Sequence, residues 1–393
     1  MQFPQRFNDL PDYAFPRLRR LLDGCAPGGV EMAMSIGEPQ HAFPDFVAEE
    51  LAANIAGFGN YPPNEGTAEL RRSIADWIMR RYGVAKDPDH AVVAINGSRE
   101  GLFNACLALC PERKDGKPVN VLIPNPFYQV YAVAAAAAQA TPVFVDCPAA
   151  NGHLPNFAAL PKAVLDQTAI AYICSPSNPQ GAVASTAYWT ELLGLAEKHD
   201  FRIFADECYS EIYRKTAPPG LLQVAHDIGT DPERVVVFHS LSKRSNLPGL
   251  RSGFVAGGPK AIAEIKRLRA YSGAPLPLPL QKVAAKVWQD EDHVVKNRRH
   301  YGEKYRAADQ VFDGVQEYRG PTAGFFLWLP VDDGEAATLK LWKNTGVKVL
   351  PGEYLARSVD GVNPGKGFIR VAMVAPTQDM QRGLMAIRDC LYP

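Results

Sequence analysis

The chain has 393 residues with 42 basic and 42 acidic side chains, so no net charge is available to recruit nucleic acid or an anionic membrane. Hydrophobic residues make up 47% and charged residues 21%, the balance of an ordinary globular protein too long for one simple core, so two or three domains are expected. No apolar run approaches the roughly 20 residues of a membrane span, no leader-like segment opens the chain, and seven cysteines, an odd number, do not suggest a disulfide framework; a cytoplasmic protein is expected.

The first 35 or so residues read as an arm with one short helix near residues 16–22. Residues 43–58 and 66–82 read as amphipathic helices, separated by the rigid turn FGNYPPNEGT. From about residue 91 apolar strands alternate with helices. AVVAIN precedes REGLFNACLAL, and VNVLIP precedes FYQVYAVAAAAAQA, whose alanine run suits a tightly packed helix. TPVFVDC, AIAYICS, FRIFADE, VVVFHS and SGFVAG continue the series. Near-continuous β-branched runs between helices predict a mostly parallel sheet covered on both faces. After residue 260 the character changes. One long helical segment spans about 279–313, and GFFLWLP and GFIRVAM read as strands around the helix ATLKLWKNTG. The division expected is an arm with part of a small domain at 1–45, a large domain at 46–285 and a small α+β domain at 286–393.

Cys106 and Cys110 share a helix face, but no second ligand pair accompanies them, so they read as core residues. None of the eight histidines shows a ligand spacing with a carboxylate, and no metal is expected.

The segment VVVFHSLSKRSNLPGLRSG, residues 235–253, carries the most chemistry. A buried strand ends in Ser240, Ser242 and Lys243, followed by Arg251. Burying an ammonium costs several kcal/mol unless it is paired or loses its proton. A lysine held neutral is suited to forming a Schiff base with an aldehyde. The hydroxyls and Arg251 would hold an anion, most simply the phosphate of pyridoxal phosphate. Lys243 alone favours a strand followed by a solvated basic turn, because most lysines are exposed, so the rest of the chain must supply the other parts such a cofactor needs.

Ligands of open parallel sheets sit beyond the carboxyl ends of the strands, and four further loops there carry complementary groups. Gly97, Ser98 and Arg99 follow a strand and open a helix, an anion site or a plain helix cap. Tyr128, in PNPFYQVY, would stack on a flat heterocycle, or pack in the core. Asn178, in SPSNPQG, would donate its amide to a phenolate oxygen, or merely shape a turn. Asp206, in FADECYSEIY, would pair with a protonated pyridine nitrogen, or cap a helix, and Tyr209 would reach the ring oxygen. Arg370 lies inside the apolar strand GFIRVAM. It is assigned to a substrate carboxylate, with an internal salt bridge as the alternative. Gly37, in SIGEP, would bring a backbone N–H near the same carboxylate.

These segments, from SIGEP to GFIRVAM, resemble the fold-type I, class I/II pyridoxal phosphate aminotransferases over nearly the whole chain. The resemblance implies an α/β fold, with a large domain built on a mostly parallel seven-stranded sheet and a smaller α+β domain. It implies Lys243 as the Schiff-base residue, Ser240 and Arg251 on the phosphate, and Asp206, Tyr209, Asn178 and Tyr128 around the ring. It implies Arg370 on the substrate carboxylate. It also implies a homodimer in which Tyr61 reaches the phosphate of the neighbouring subunit. Within the family, SIGEPQH, DECYSEIY, VLPGEYLAR and GVNPGKGFIRVAMVAP are most similar to the proteobacterial N-succinyldiaminopimelate aminotransferases. That similarity implies amino transfer from N-succinyl-L,L-diaminopimelate to 2-oxoglutarate in lysine biosynthesis. The cofactor residues alone do not separate it from enzymes acting on alanine, aspartate or aromatic amino acids. The one departure is Gln180 in SPSNPQG, which leaves the asparagine in place.

Overall fold

A computed structural model describes residues 3–393. Its centre is a seven-stranded sheet. In chain order the strands are β1 (Val92–Ile95), β2 (Asn120–Asn125), β3 (Thr141–Asp146), β4 (Thr168–Cys174), β5 (Arg202–Asp206), β6 (Val235–Ser240) and β7 (Gly253–Gly257). Their spatial order is β1-β7-β6-β5-β4-β2-β3. Only β7 is antiparallel to its neighbours, so the sheet is mostly parallel, as the apolar runs predict.

The strands are apolar on both sides because both faces are covered. One face, with Phe254 of β7, packs against Trp77, Trp189 and Trp288. The other, with Tyr172 of β4 and Phe204 of β5, packs against Leu102 and Tyr131. Val237 joins the first cluster while Val236 and Phe238 join the second, the alternation that a pleated strand imposes. The alanine run lies on helix Val130–Ala137, where Ala134 and Ala135 are fully buried and let the helix approach the sheet.

A second core forms around Tyr301, Phe325, Leu327, Ile369 and Leu384. Its three-stranded sheet comprises β8 (Phe326–Pro330), β9 (Leu350–Pro351) and β10 (Phe368–Ala372), with β10 in the middle. Met32–Ala33 pairs in parallel with Val347–Lys348, tying the first part of the chain to this unit.

One expectation needs correction, and some short pieces of strand were not anticipated. The single helical segment 279–313 is two helices, Leu278–Gln289 and Asp292–Val311. The break falls where Asp290 turns its carboxylate onto the His293 N–H at 3.1 Å, starting a new helix instead of prolonging the old one. The two-residue pairings at Met32–Ala33, Val347–Lys348, Leu350–Pro351 and the hairpin Arg113–Lys114/Lys117–Pro118 went unread, because two residues carry no alternation. Among the described residues no helix is long and apolar enough to cross a membrane, and no group of three or more His, Cys, Asp or Glu is arranged to hold a metal ion.

Phe238 is fully buried in central strand β6, its ring 5.5 Å from that of Phe204. Phe238→Ala should lower unfolding stability by about 3–5 kcal/mol, read as a lower urea midpoint; a change under 1 kcal/mol would mean that this face repacks freely.

Candidate active site

The register of the sheet brings the functional loops to one edge. Asp206 at the end of β5 lies beside Cys174 of β4 and Phe238 of β6. Because β7 runs the other way, its first residue, Gly253, pairs with Ser240 of β6 and with Ile95 of β1. Arg251, just before β7, therefore meets the loops that leave the carboxyl ends of the parallel strands. Ser98, Arg99, Tyr128, Asn178, Asp206, Tyr209, Ser240, Ser242, Lys243 and Arg251 line one cleft of about 220 Å³.

At one end of the cleft is an anion cradle. Helix Ser98–Leu109 opens there with its unpaired N–H groups. Gly97 has φ +81°, and a side chain on it would stand 2.2 Å from Arg251 Nη2, so glycine lets the guanidinium close over the helix start. Arg251 also has a positive φ, +56°, and is held by the carbonyls of Pro248 at 2.8 Å and Asn96 at 3.2 Å. Ser240 caps the short turn Leu241–Arg244, and its hydroxyl donates to Ser242 Oγ at 2.9 Å.

Lys243 follows on that turn. Burial, with Arg370 and Arg251 opposing a third positive charge, brings its ammonium down to about 8. Its Nζ donates to the carbonyl oxygen of Gly37 and stands 5.4 Å from the centre of the Phe325 ring. Gly37 thus presents its carbonyl to the lysine. Its lack of a side chain has a steric cause, since a Cβ would lie 2.4 Å from Phe326 Cζ.

Asp206 is 5% exposed, and burial raises its pKa above the usual carboxylate value. Tyr131 donates to its Oδ2 at 2.8 Å. No helix follows it, so it is not a helix cap. Tyr209, two residues beyond Glu207, is packed edge-on against Phe325 and Phe326. Tyr128 accepts a hydrogen bond from Arg99 Nε at 2.6 Å.

Arg370 comes from the middle strand of the small sheet. Its Nη1 donates to Asn178 Oδ1 at 2.9 Å and its Nη2 to the Ser35 carbonyl at 2.7 Å. Its Nε has no partner, and it forms no salt bridge among the described residues. Burial lowers its pKa to about 10. The internal ion pair left open by the sequence is therefore absent, and Asn178 keeps its Nδ2 free to donate elsewhere. Tyr61 is apart from this group, fully exposed and outside the cleft of its own chain.

Sequence reasoning missed Tyr131, Ser35, Cys174 and Cys208. Tyr131 was findable, since it stands three residues after Tyr128 in the same aromatic segment, on the first turn of helix Val130–Ala137. Ser35 acts through its carbonyl, which no side-chain pattern reveals.

The residues fit pyridoxal 5′-phosphate: a cradle for an anion, a buried carboxylate short of a cation, and a desolvated lysine share one cleft. The family model for aminotransferase class I and II matches residues 30–387. The LL-diaminopimelate aminotransferase of Dehalococcoides mccartyi is 30% identical over 99% of both chains. The crystal structure of an aminotransferase from Neisseria meningitidis superposes with a TM-score of 0.93 at 35% identity, covering 98% of this chain and 99% of that one. A Thermus thermophilus protein described as a probable N-succinyldiaminopimelate aminotransferase gives 0.82 at 27% identity, over 97% of this chain and 98% of that one. With the fold, the cleft and the family agreeing, this chain belongs to the class I and II aminotransferases and is a pyridoxal 5′-phosphate-dependent enzyme of fold-type I.

Proposed function

We propose that the enzyme moves the amino group of a diaminopimelate-type amino acid, with N-succinyl-L,L-diaminopimelate as donor and 2-oxoglutarate as acceptor. The products are N-succinyl-2-amino-6-oxopimelate and glutamate. The observation that carries the amino-acid reading is Arg370, a buried guanidinium beside the lysine with no carboxylate of its own. Support for the diaminopimelate skeleton comes from relatives that bear that word in their names. The curated relative points to a second reading, in which the free L,L-diaminopimelate is the donor.

When bound, pyridoxal 5′-phosphate supplies an aldehyde that captures amines and a ring that takes up the electron pair left by the departing Cα proton. Gly97, Ser98, Ser240, Ser242 and Arg251 hold the phosphate, and Tyr61 reaches it from the second subunit of a homodimer. Asp206 keeps the pyridine nitrogen protonated. Tyr128, steadied by Arg99, lies against the ring. Asn178 Nδ2 and the Tyr209 hydroxyl donate to the ring oxygen. Arg370 takes the substrate α-carboxylate with its guanidinium N–H groups. Lys243 Nζ, a neutral amine above about pH 8, removes the Cα proton and later returns it.

Arg370→Ala should lose about 1.5–3 kcal/mol of carboxylate binding, the range for a hydrogen bond to a charged group. The loss should appear in the KM of every amino donor alike. An effect on thermal stability alone would make Arg370 a structural residue.

The substrate is tested by mixing holoenzyme with one amino donor and no keto acid, then following the visible absorbance of the cofactor. Conversion with N-succinyl-L,L-diaminopimelate much faster than with alanine or aspartate is expected. Conversion by the free diamino acid but not the succinylated one would select the second reading. Conversion by glutamate alone would remove both donors and leave an aminotransferase of other specificity.

A further inference from the structure

Tyr131 takes no part in the roles above, yet it is fully buried and its hydroxyl donates to Asp206 Oδ2 at 2.8 Å. Its ring stacks on Tyr172, with centroids 4.5 Å apart and planes 12° from parallel. Tyr172 donates to the Leu102 carbonyl at 2.8 Å, so the stack is anchored on the helix that opens at Ser98. Tyr128 meets Tyr131 edge-on, with centroids 5.8 Å apart. Three aromatic rings therefore fix where the phenolic oxygen points.

That hydrogen bond favours the ionised form of Asp206 over the neutral one. Burial pushes the Tyr131 phenol well above its ordinary range, so it stays a donor at any working pH. Burial also pushes Asp206 toward its protonated form, and the hydrogen bonds from Tyr131 and Cys208 oppose this. The Cys208 N–H is 3.4 Å from Oδ1, a long contact. Asp206 is faced further by Tyr128, Cys174, Tyr209 and His239, of which His239 favours the anion.

We propose that Tyr131 is a positioning residue for the cofactor: its hydroxyl holds one oxygen of Asp206 so that the ionised carboxylate faces the pyridine nitrogen. The inference rests on the assignment of Asp206 to that nitrogen. A neutral carboxyl gives a pyridinium no charge partner. Without the Tyr131 hydroxyl the ring nitrogen loses its proton more readily and withdraws fewer electrons from the carbon that bonds Lys243. The pH at which the bound cofactor changes its visible absorbance then rises.

Tyr131→Phe removes one oxygen and keeps the stack. Two quantities are measured on Tyr131→Phe, Asp206→Ala, the double variant and the parent protein: pyridoxal phosphate affinity after reconstitution, and the pH of the absorbance transition. Tyr131→Phe should bind the cofactor on the order of tenfold more weakly, the loss of one charged hydrogen bond. Its transition should move to higher pH. In the Asp206→Ala background the same change should add nothing to either quantity. An unmoved transition in Tyr131→Phe, or an equal loss of affinity with Asp206 already absent, would overturn the proposal by making Tyr131 a packing residue only. If Asp206→Ala itself leaves affinity and transition unchanged, the assignment of Asp206 falls first and the role of Tyr131 falls with it.

Discussion

Two desolvated cations without anions, Lys243 and Arg370, organise the functional site. Lys243 is desolvated and bonded only to a carbonyl, and Arg370 is buried with an amide and a carbonyl for company and one N–H unpaired. Such groups cost stability when left alone. A negative group arriving during function would offset that cost. The neighbouring cation that raises the cost for Lys243 also makes its amine more nucleophilic at moderate pH. The opposite imbalance stands across the cleft, where burial pushes Asp206 toward neutrality until a cation faces it.

The fold makes these imbalances possible by fixing their positions with the stiffest parts of the structure. The lysine turn leaves β6 in the middle of the sheet, Asp206 ends the adjacent β5, and Arg251 enters through the one reversed strand. Arg370 comes from the middle strand of the second sheet and bonds Asn178 of the first unit and Ser35 of the early chain. Arg370 lies outside the lining of the cleft and is joined to it through Asn178, so three stretches far apart in sequence meet at its edge. A shift between the two cores would separate Arg370 from Asn178 and change substrate binding without touching the cradle.

The long parallel strands were legible because β-branched runs between helices leave few alternatives, and the loops at their ends followed from the topology. Apart from side chains such as Tyr131, what escaped detection acts through the backbone or lies in very short elements. The carbonyl of Gly37 meets Lys243 across 206 positions of sequence, and no residue type announces such a contact. The carbonyl of Ser35 is of the same kind. Asp290 broke a helix whose apolar pattern ran on, because a side-chain bond to the His293 N–H competed with the helical one. Tyr61 shows a different limit, since its exposure in one chain agrees with a site that a second chain would complete.

The central claim is that Lys243 is held as a low-pKa amine for carbon–nitrogen bond formation, and capture of the cofactor tests it most directly. Apoprotein is mixed with pyridoxal 5′-phosphate across a pH series, quenched with borohydride and mapped by peptide mass. The account predicts a single modified peptide carrying Lys243, with a capture rate that climbs with pH and levels above about 8 as the amine becomes neutral. Modification at another lysine, or a rate still climbing toward the roughly 10.4 of an ordinary lysine, would contradict it.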